Sequence, residues 1–147
     1  MIFNLDSQQS LAEHPVTALS FGMRARGMIG RLFTPEMDAM IFPRCNAVHT
    51  FFMAMPLDLL FLDSERRVAK AVKSAPPWRF CFACPEAEIT VELPAGTIGR
   101  TGTEKGQRIN LDWNLSSDTI AKWHSGVILK DEGVIYENTV HQRQPGG

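Results

Sequence analysis

Leu57-Asp-Leu-Leu-Phe-Leu62, then Asp63-Ser-Glu-Arg66, then Arg67-Val-Ala-Lys-Ala-Val72 is the stretch on which the fold turns. Two short β-rich runs flank four polar residues, the pattern of two strands joined by a tight connection. Working outward, Val16 to Phe21, Met40-Ile-Phe42, Val48 to Met53 and Gln107 to Leu111 read as further strands. Ala87 to Leu93 sets Ile89, Val91 and Leu93 against Glu88, Thr90 and Glu92, the alternation of a half-buried strand. One helix interrupts the series. Ala25, Met28, Ile29 and Leu32 recur at helical spacing, which predicts a short helix near 24–33. Gly27 and Gly30 inside it each cost about 1 kcal/mol, so packing must hold it or a neighbour must approach closely. Thr97 to Gly102 has room for one further helical turn. Strands that do not alternate with helices argue against a doubly wound sheet. The expected class is mostly β (α+β), a compact antiparallel sandwich or barrel with that one short helix.

A chain of 147 residues is the usual size of one domain, so a single domain 1–147 is expected. Residues 1–14 are polar and read as partly ordered. Residues 111–147 read as an appendage: a helix capped at Ser116-Ser-Asp118 and running through Trp123, then a hairpin of Val127-Ile-Leu129 and Val134-Ile-Tyr136. Its apolar residues predict packing on the core or on a second subunit, which makes a homo-oligomer an expected form. Fifteen Lys and Arg against sixteen Asp and Glu leave a net charge of -1, so neither nucleic acid nor an anionic membrane is expected as a partner. Ala47 to Leu62 is the most apolar stretch, but His49, Pro56 and Asp58 break it, and a membrane span needs roughly 20 nearly uninterrupted apolar residues. The N-terminus has neither a basic region nor an apolar one, and three cysteines leave one unpaired. Free thiols in a cytoplasmic protein are therefore expected.

Several constellations could carry chemistry. Cys81-Phe-Ala-Cys84 could be a redox pair, but such a pair needs a cation or a helix N-terminus to lower its thiol pKa, and it lies between Pro77 and Pro85. Cys45, His49, Cys81 and Cys84 together form a three-thiolate, one-imidazole set suited to zinc. Buried thiols acting as small apolar groups are the plainer reading, so no cofactor is expected. His49 is either a core histidine bonded to a backbone carbonyl or a site residue. Asp58 shares a strand face with Leu60 and Leu62, where a carboxylate needs donors or a cation. It either caps the Pro56 turn or pairs with an arginine or His49. Arg24 and Arg31 stand seven apart on one face of the expected helix, with Gly27 between them. They could grip an anion or simply be solvated. No nucleophile elbow and no phosphate-binding glycine loop is present.

The segments Arg24-Ala-Arg-Gly-Met-Ile-Gly-Arg31, Cys45-Asn-Ala-Val-His-Thr-Phe-Phe-Met53, Pro56-Leu-Asp-Leu-Leu-Phe-Leu-Asp63 and Val91-Glu-Leu-Pro-Ala-Gly96, followed by Gly106, occur in that order. Over about 16–110 the chain resembles domain of unknown function 192. The resemblance implies a compact, predominantly β fold with a small helix, jelly-roll-like in shape. It implies no activity. The family commonly has Gly-Asp near its final strand, whereas Gly106 is followed by Gln107 here, so no role carries over to that acid.

The leading expectation is a small binding or accessory domain that recognises a polar or anionic small ligand, or a protein partner. Arg24, His49, Asp58 and Arg31 are its candidate ligand-binding residues. One alternative is a metal-assisted or His/Asp-dependent hydrolase-like enzyme, so the residues leave open whether there is catalysis. Another is an assembly protein acting through residues 111–147.

Overall fold

A computed structural model describes residues 1–112, 128–129 and 135–136. The chain divides into two units, Met1–Trp113 and Asn114–Gly147. In the second, the strands Ile128–Leu129 and Ile135–Tyr136 pair antiparallel. The expected helix through Trp123, the turn between those strands and the packing of the appendage lie outside the described residues.

The first unit is built on a five-stranded sheet. Its strands are β3 (Pro15–Thr17), β4 (Ala39–Pro43), β6 (Leu57–Leu62), β7 (Val68–Ala75) and β9 (Ile89–Pro94), in the order β3-β4-β9-β6-β7. A three-stranded sheet of β1 (Ile2–Asn4), β2 (Gln9–Ala12) and β10 (Ile109–Leu111) has β1 at its centre. The short strands β5 (Ala47–Val48) and β8 (Phe82–Ala83) pair by themselves. Every residue of β4 and β6 is buried, because apolar side chains cover both faces of the larger sheet. On one face Ile41, Leu60, Leu62, Val91 and Leu93 pack with Ile2, Leu11, Ile109 and Leu111 of the smaller sheet and with Ile98. On the other face Met40, Phe42, Leu59 and Phe61 pack under Met28, Met53, Cys84 and Ala87 from the loops. A run that is apolar but for Asp58, such as Leu57 to Leu62, suits a strand buried on both sides. The turn after it forms as expected: Asp63 Oδ1 accepts from the Glu65 and Arg67 amides at 2.9 and 2.8 Å.

Five expectations are corrected. The sheets are open, not a closed barrel, and β3 pairs with β4 in parallel. The polar N-terminus supplies two strands, held across the chain by pairs such as Ile2 with Leu111. The helix is not at 24–33. Helix α1 spans Phe21–Arg26, begins at the N-cap Ser20 and stops at Gly27, whose φ of 47° leaves the helical region. Gly30, at φ 62°, prevents resumption, so the two glycines end the helix that they were expected to weaken. The run Val48 to Met53 contributes strand at Val48 alone and then turns at Phe52, φ 59°. Finally, the polar face of β9 is on the side of the sheet covered by Met28, Met53 and the residues around them, so it is buried too. Thr90 and Glu92 are 0% and 2% exposed.

Candidate functional site

Helix α1 and the segment 45–49 stand over the outer face of the larger sheet and leave a cavity of about 300 Å³ between them. Phe42 of β4, Glu92 of β9 and Met53 contribute to its lining, and α1 adds Arg24, Arg26 and Gly27. Cys45, Val48 and His49 complete the opposite wall. A second recess, of about 480 Å³, is shallower and mixes small residues such as Ala69 and Ala71 with exposed charged ones such as Lys73 and Lys105.

Glu92 sets the chemistry of the first cavity. Its cross-strand neighbours are Met40 and Leu59, both fully buried, and its Oε2 has no hydrogen-bond partner. That oxygen lies 4.0 Å from the point where a Gly27 Cβ would stand. No side chain of Gly27 therefore stands between helix end and carboxyl, and the oxygen itself is buried. Burial pushes the Glu92 pKa up to about 8, because a carboxylate among apolar groups loses its hydration. The side chain is therefore a neutral acid at pH 7, able to donate one hydrogen bond and accept others.

The structure places the expected site residues unevenly. Arg24 and His49 meet at this cavity. The Arg24 guanidinium donates to the backbone carbonyls of Pro43 and of Arg44, which ties α1 to the end of β4. His49 is exposed, not a core histidine, and its Nδ1 accepts from the Phe51 amide at 3.2 Å. Arg31 lies beyond the end of α1, so it shares no helical face with Arg24. Asp58 is on the opposite face of the sheet, where its Oδ1 accepts from the Ser74 amide at 2.8 Å. Its Oδ2 accepts from the Ile98 amide at 2.7 Å, in the first turn of α2 (Thr97–Thr101). Backbone donors satisfy it, and neither Arg24 nor His49 is its partner.

The cysteines are dispersed. Cys45 lines the cavity and donates its thiol to the Ala47 carbonyl at 3.2 Å, Cys81 is exposed and Cys84 is buried. Burial, together with the hydrogen bond to Glu86 at 3.2 Å, raises the Cys84 pKa. That is opposite to what a reactive redox thiol needs. Among the described residues no group of three or more His, Cys, Asp or Glu could hold a metal ion. Also among them, no helix is long and apolar enough to cross a membrane.

Sequence reasoning passed over Glu92 as a residue. It sits inside Val91-Glu-Leu-Pro-Ala-Gly96, yet the alternation of β9 reads as one wet face. No signal in the sequence marks it, because the loops that cover this face of β9 carry Met28 and Met53, far away in the chain. Also unforeseen is an aromatic surface beside the cavity, made by Phe51, Phe52, Trp78 and Phe80 with ring centroids 4.8 to 6.4 Å apart. Phe52, Trp78 and Phe80 are 61%, 59% and 82% exposed. Thr50, fully buried, rivets the two loops: its hydroxyl donates to the Pro76 carbonyl at 2.7 Å and accepts from the Arg79 amide at 2.9 Å. Its carbonyl takes the Trp78 amide at 2.8 Å.

A scan against family models matches residues 3–111 to DUF192, described as an uncharacterised ACR. The chain belongs to the DUF192 family. The match extends the expected 16–110 to include β1, β2 and Leu111. A UPF0127 protein of Thermococcus sibiricus is 36% identical over 109 residues, covering 69% of this chain and 67% of that one. One from Thermococcus gammatolerans is 34% identical over 118 residues, covering 76% and 75%. A crystal structure of a protein of unknown function from Novosphingobium aromaticivorans shares the fold at a TM-score of 0.59 and 21% identity. It covers 70% of this chain and 80% of its own. DUF192 membership thus fixes kinship and fold, and the function has to be argued from the site.

Proposed function

We propose that this DUF192 protein is a small-molecule-binding domain whose ligand enters the cavity between α1 and residues 45–49. One observation carries the reading: the buried Glu92 carboxyl turns an unpartnered oxygen toward that cavity. Buried polar groups in folded proteins are almost always paired, and an unpaired one costs roughly 1–3 kcal/mol. A fold that keeps such a group beside an open cavity is arranged for a partner that arrives from outside. Mixed apolar and polar lining is typical of sites for compact ligands. A hydrolase-like or metal-assisted enzyme is less well supported, since Asp58 faces away and the cysteines are dispersed.

Native mass spectrometry of protein purified without chelator tests the proposal, with Glu92→Gln beside the wild type. A retained small molecule that Glu92→Gln loses is the expected result. Identical spectra for both, together with amide resonances of the cavity residues unmoved by a metabolite extract, would remove it.

The aromatic surface supports a second reading, in which this face meets a second copy of the chain. Large exposed apolar patches are typical of contact faces. Light scattering should then show a dimer that Phe80→Ser returns to a monomer. A wild-type monomer at high concentration would end this reading and leave the first intact.

A further inference from the structure

We infer that the ligand of the Glu92 cavity is a compact organic monoanion. Its carboxylate sits at the arginine rim of the cavity, and its apolar body runs over Phe42, Val48 and Met53. This inference rests on the binding reading above and names the class of molecule. The charged and titratable groups around the cavity decide it. From α1 come the Arg24 and Arg26 guanidinium groups, and from segment 45–49 come the Cys45 thiol and the His49 imidazole. From the sheet comes Glu92 alone, since its neighbours on β4 and β6 are Met40 and Leu59. Among the described residues no other carboxylate lines the cavity. Arg24 is anchored on neutral carbonyl oxygens, so its positive charge is held in place without being cancelled. Arg26 is exposed and enters no ion pair among the described residues.

With Glu92 holding its proton, the described residues give the cavity two positive charges, that of Arg24 anchored and that of Arg26 exposed, and no negative one. An ammonium group would be repelled by both guanidinium groups. A carboxylate would be drawn to them, since guanidinium and carboxylate pair through charge-assisted hydrogen bonds. The protonated Glu92 fits the same picture, because a neutral acid can donate to an oxygen of an anion where an ionised one would repel it.

The test uses the full chain and three probes of equal length: hexanoate, hexylamine and hexanol. Titrations are followed by the amide resonances of Ala25, Gly27 and Val48. Hexanoate should bind most tightly and move these three amides. Arg26→Gln, at an exposed position, should weaken hexanoate by roughly three- to fivefold and leave hexanol unchanged. Hexanoate affinity should also fall as the pH rises through about 8, where Glu92 loses its proton. Hexylamine binding as tightly as hexanoate, or an affinity for hexanoate that Arg26→Gln leaves unaltered, would overturn the assignment to an anion while the binding site stands. If none of the three probes moves the cavity amides, the site itself is wrong and the assignment falls with it.

Discussion

Two buried carboxyl groups on opposite faces of one sheet show how differently the same chemistry can be settled. Asp58 is fully buried and accepts from two backbone amides, which locks the start of α2 to β6 and β7. Asp58→Ala would orphan both donors, and an unpaired buried group costs roughly 1–3 kcal/mol. A loss of about 2–5 kcal/mol is expected in urea unfolding, with Asp58→Asn in between because its single oxygen keeps one amide. Wild-type stability in both variants would mean that those amides find other partners. Glu92 has no such donors, and its raised pKa makes a statement about pH. Between 4.5, where the unfolded chain ionises, and about 8, the native state holds a proton that the unfolded state has lost. Stability therefore falls as pH rises through that window, by on the order of a few kcal/mol in all. Glu92→Gln should remove this slope, matching wild type near pH 5 and exceeding it at pH 8. If urea unfolding shows wild type and Glu92→Gln changing equally in stability between pH 5 and pH 8, Glu92 ionises as it would in water. The oddness of Asp58 was legible, because a carboxylate in Leu57-Asp-Leu-Leu demands neutralisation. Its partners were not, because a backbone amide at Ser74 or Ile98 leaves no mark in the sequence.

At the scale of elements, local chemistry predicted β6, the turn at Asp63 and α2 well, and it failed where elements meet. Period-2 alternation in β9 reads as one wet face, yet the end of α1 and the loops that carry Met28 and Met53 cover that face and bury Glu92. The helix was misplaced for a similar reason. Ser20 caps its start, with a hydroxyl that accepts from the Met23 amide at 3.1 Å, and Gly27 supplies the positive φ that ends it. Met28 then dives into the core while Leu32 stays 58% exposed, so the apparent helical stripe belongs to two different environments. Gly27→Ala tests the junction. The new Cβ would meet the Phe42 ring at an ordinary 3.5 Å, so its cost comes mainly from the backbone, at about 1–2 kcal/mol. It would also fill the space next to Glu92 Oε2. A small loss in melting temperature with a larger loss of ligand binding is expected. Unchanged binding would show that the ligand does not pass between Gly27 and Glu92.

For the whole molecule, the arrangement depends on pairings between distant parts of the chain, and these were the least legible. The polar look of Asn4, Gln9 and Ser10 hides strands, because the apolar contribution rests on isolated residues such as Ile2 and Leu11, 0% and 4% exposed. β1 is the middle strand of its sheet, joining β2 to β10 and meeting Leu111 at Ile2. Asn4 reinforces the link, since its amide donates to Thr103 Oγ1 at 3.1 Å and to Gln107 Oε1 at 2.8 Å. Removing residues 1–5 would strip the central strand from the small sheet, leave the ladder edges of β2 and β10 unpaired, and uncover the side of the core that contains Ile98 and Leu93. Burying one large aliphatic side chain is worth about 1.5–3 kcal/mol, and whole domains of this size have only about 5–15 kcal/mol to spare. The truncated chain should therefore lose its cooperative thermal transition in circular dichroism and bind a hydrophobic dye. A cooperative melt close to that of the full chain would show that the five-stranded sheet folds unaided. The pairing of β1 with β10 would then owe nothing to stability, and the small sheet would have to be explained by binding instead.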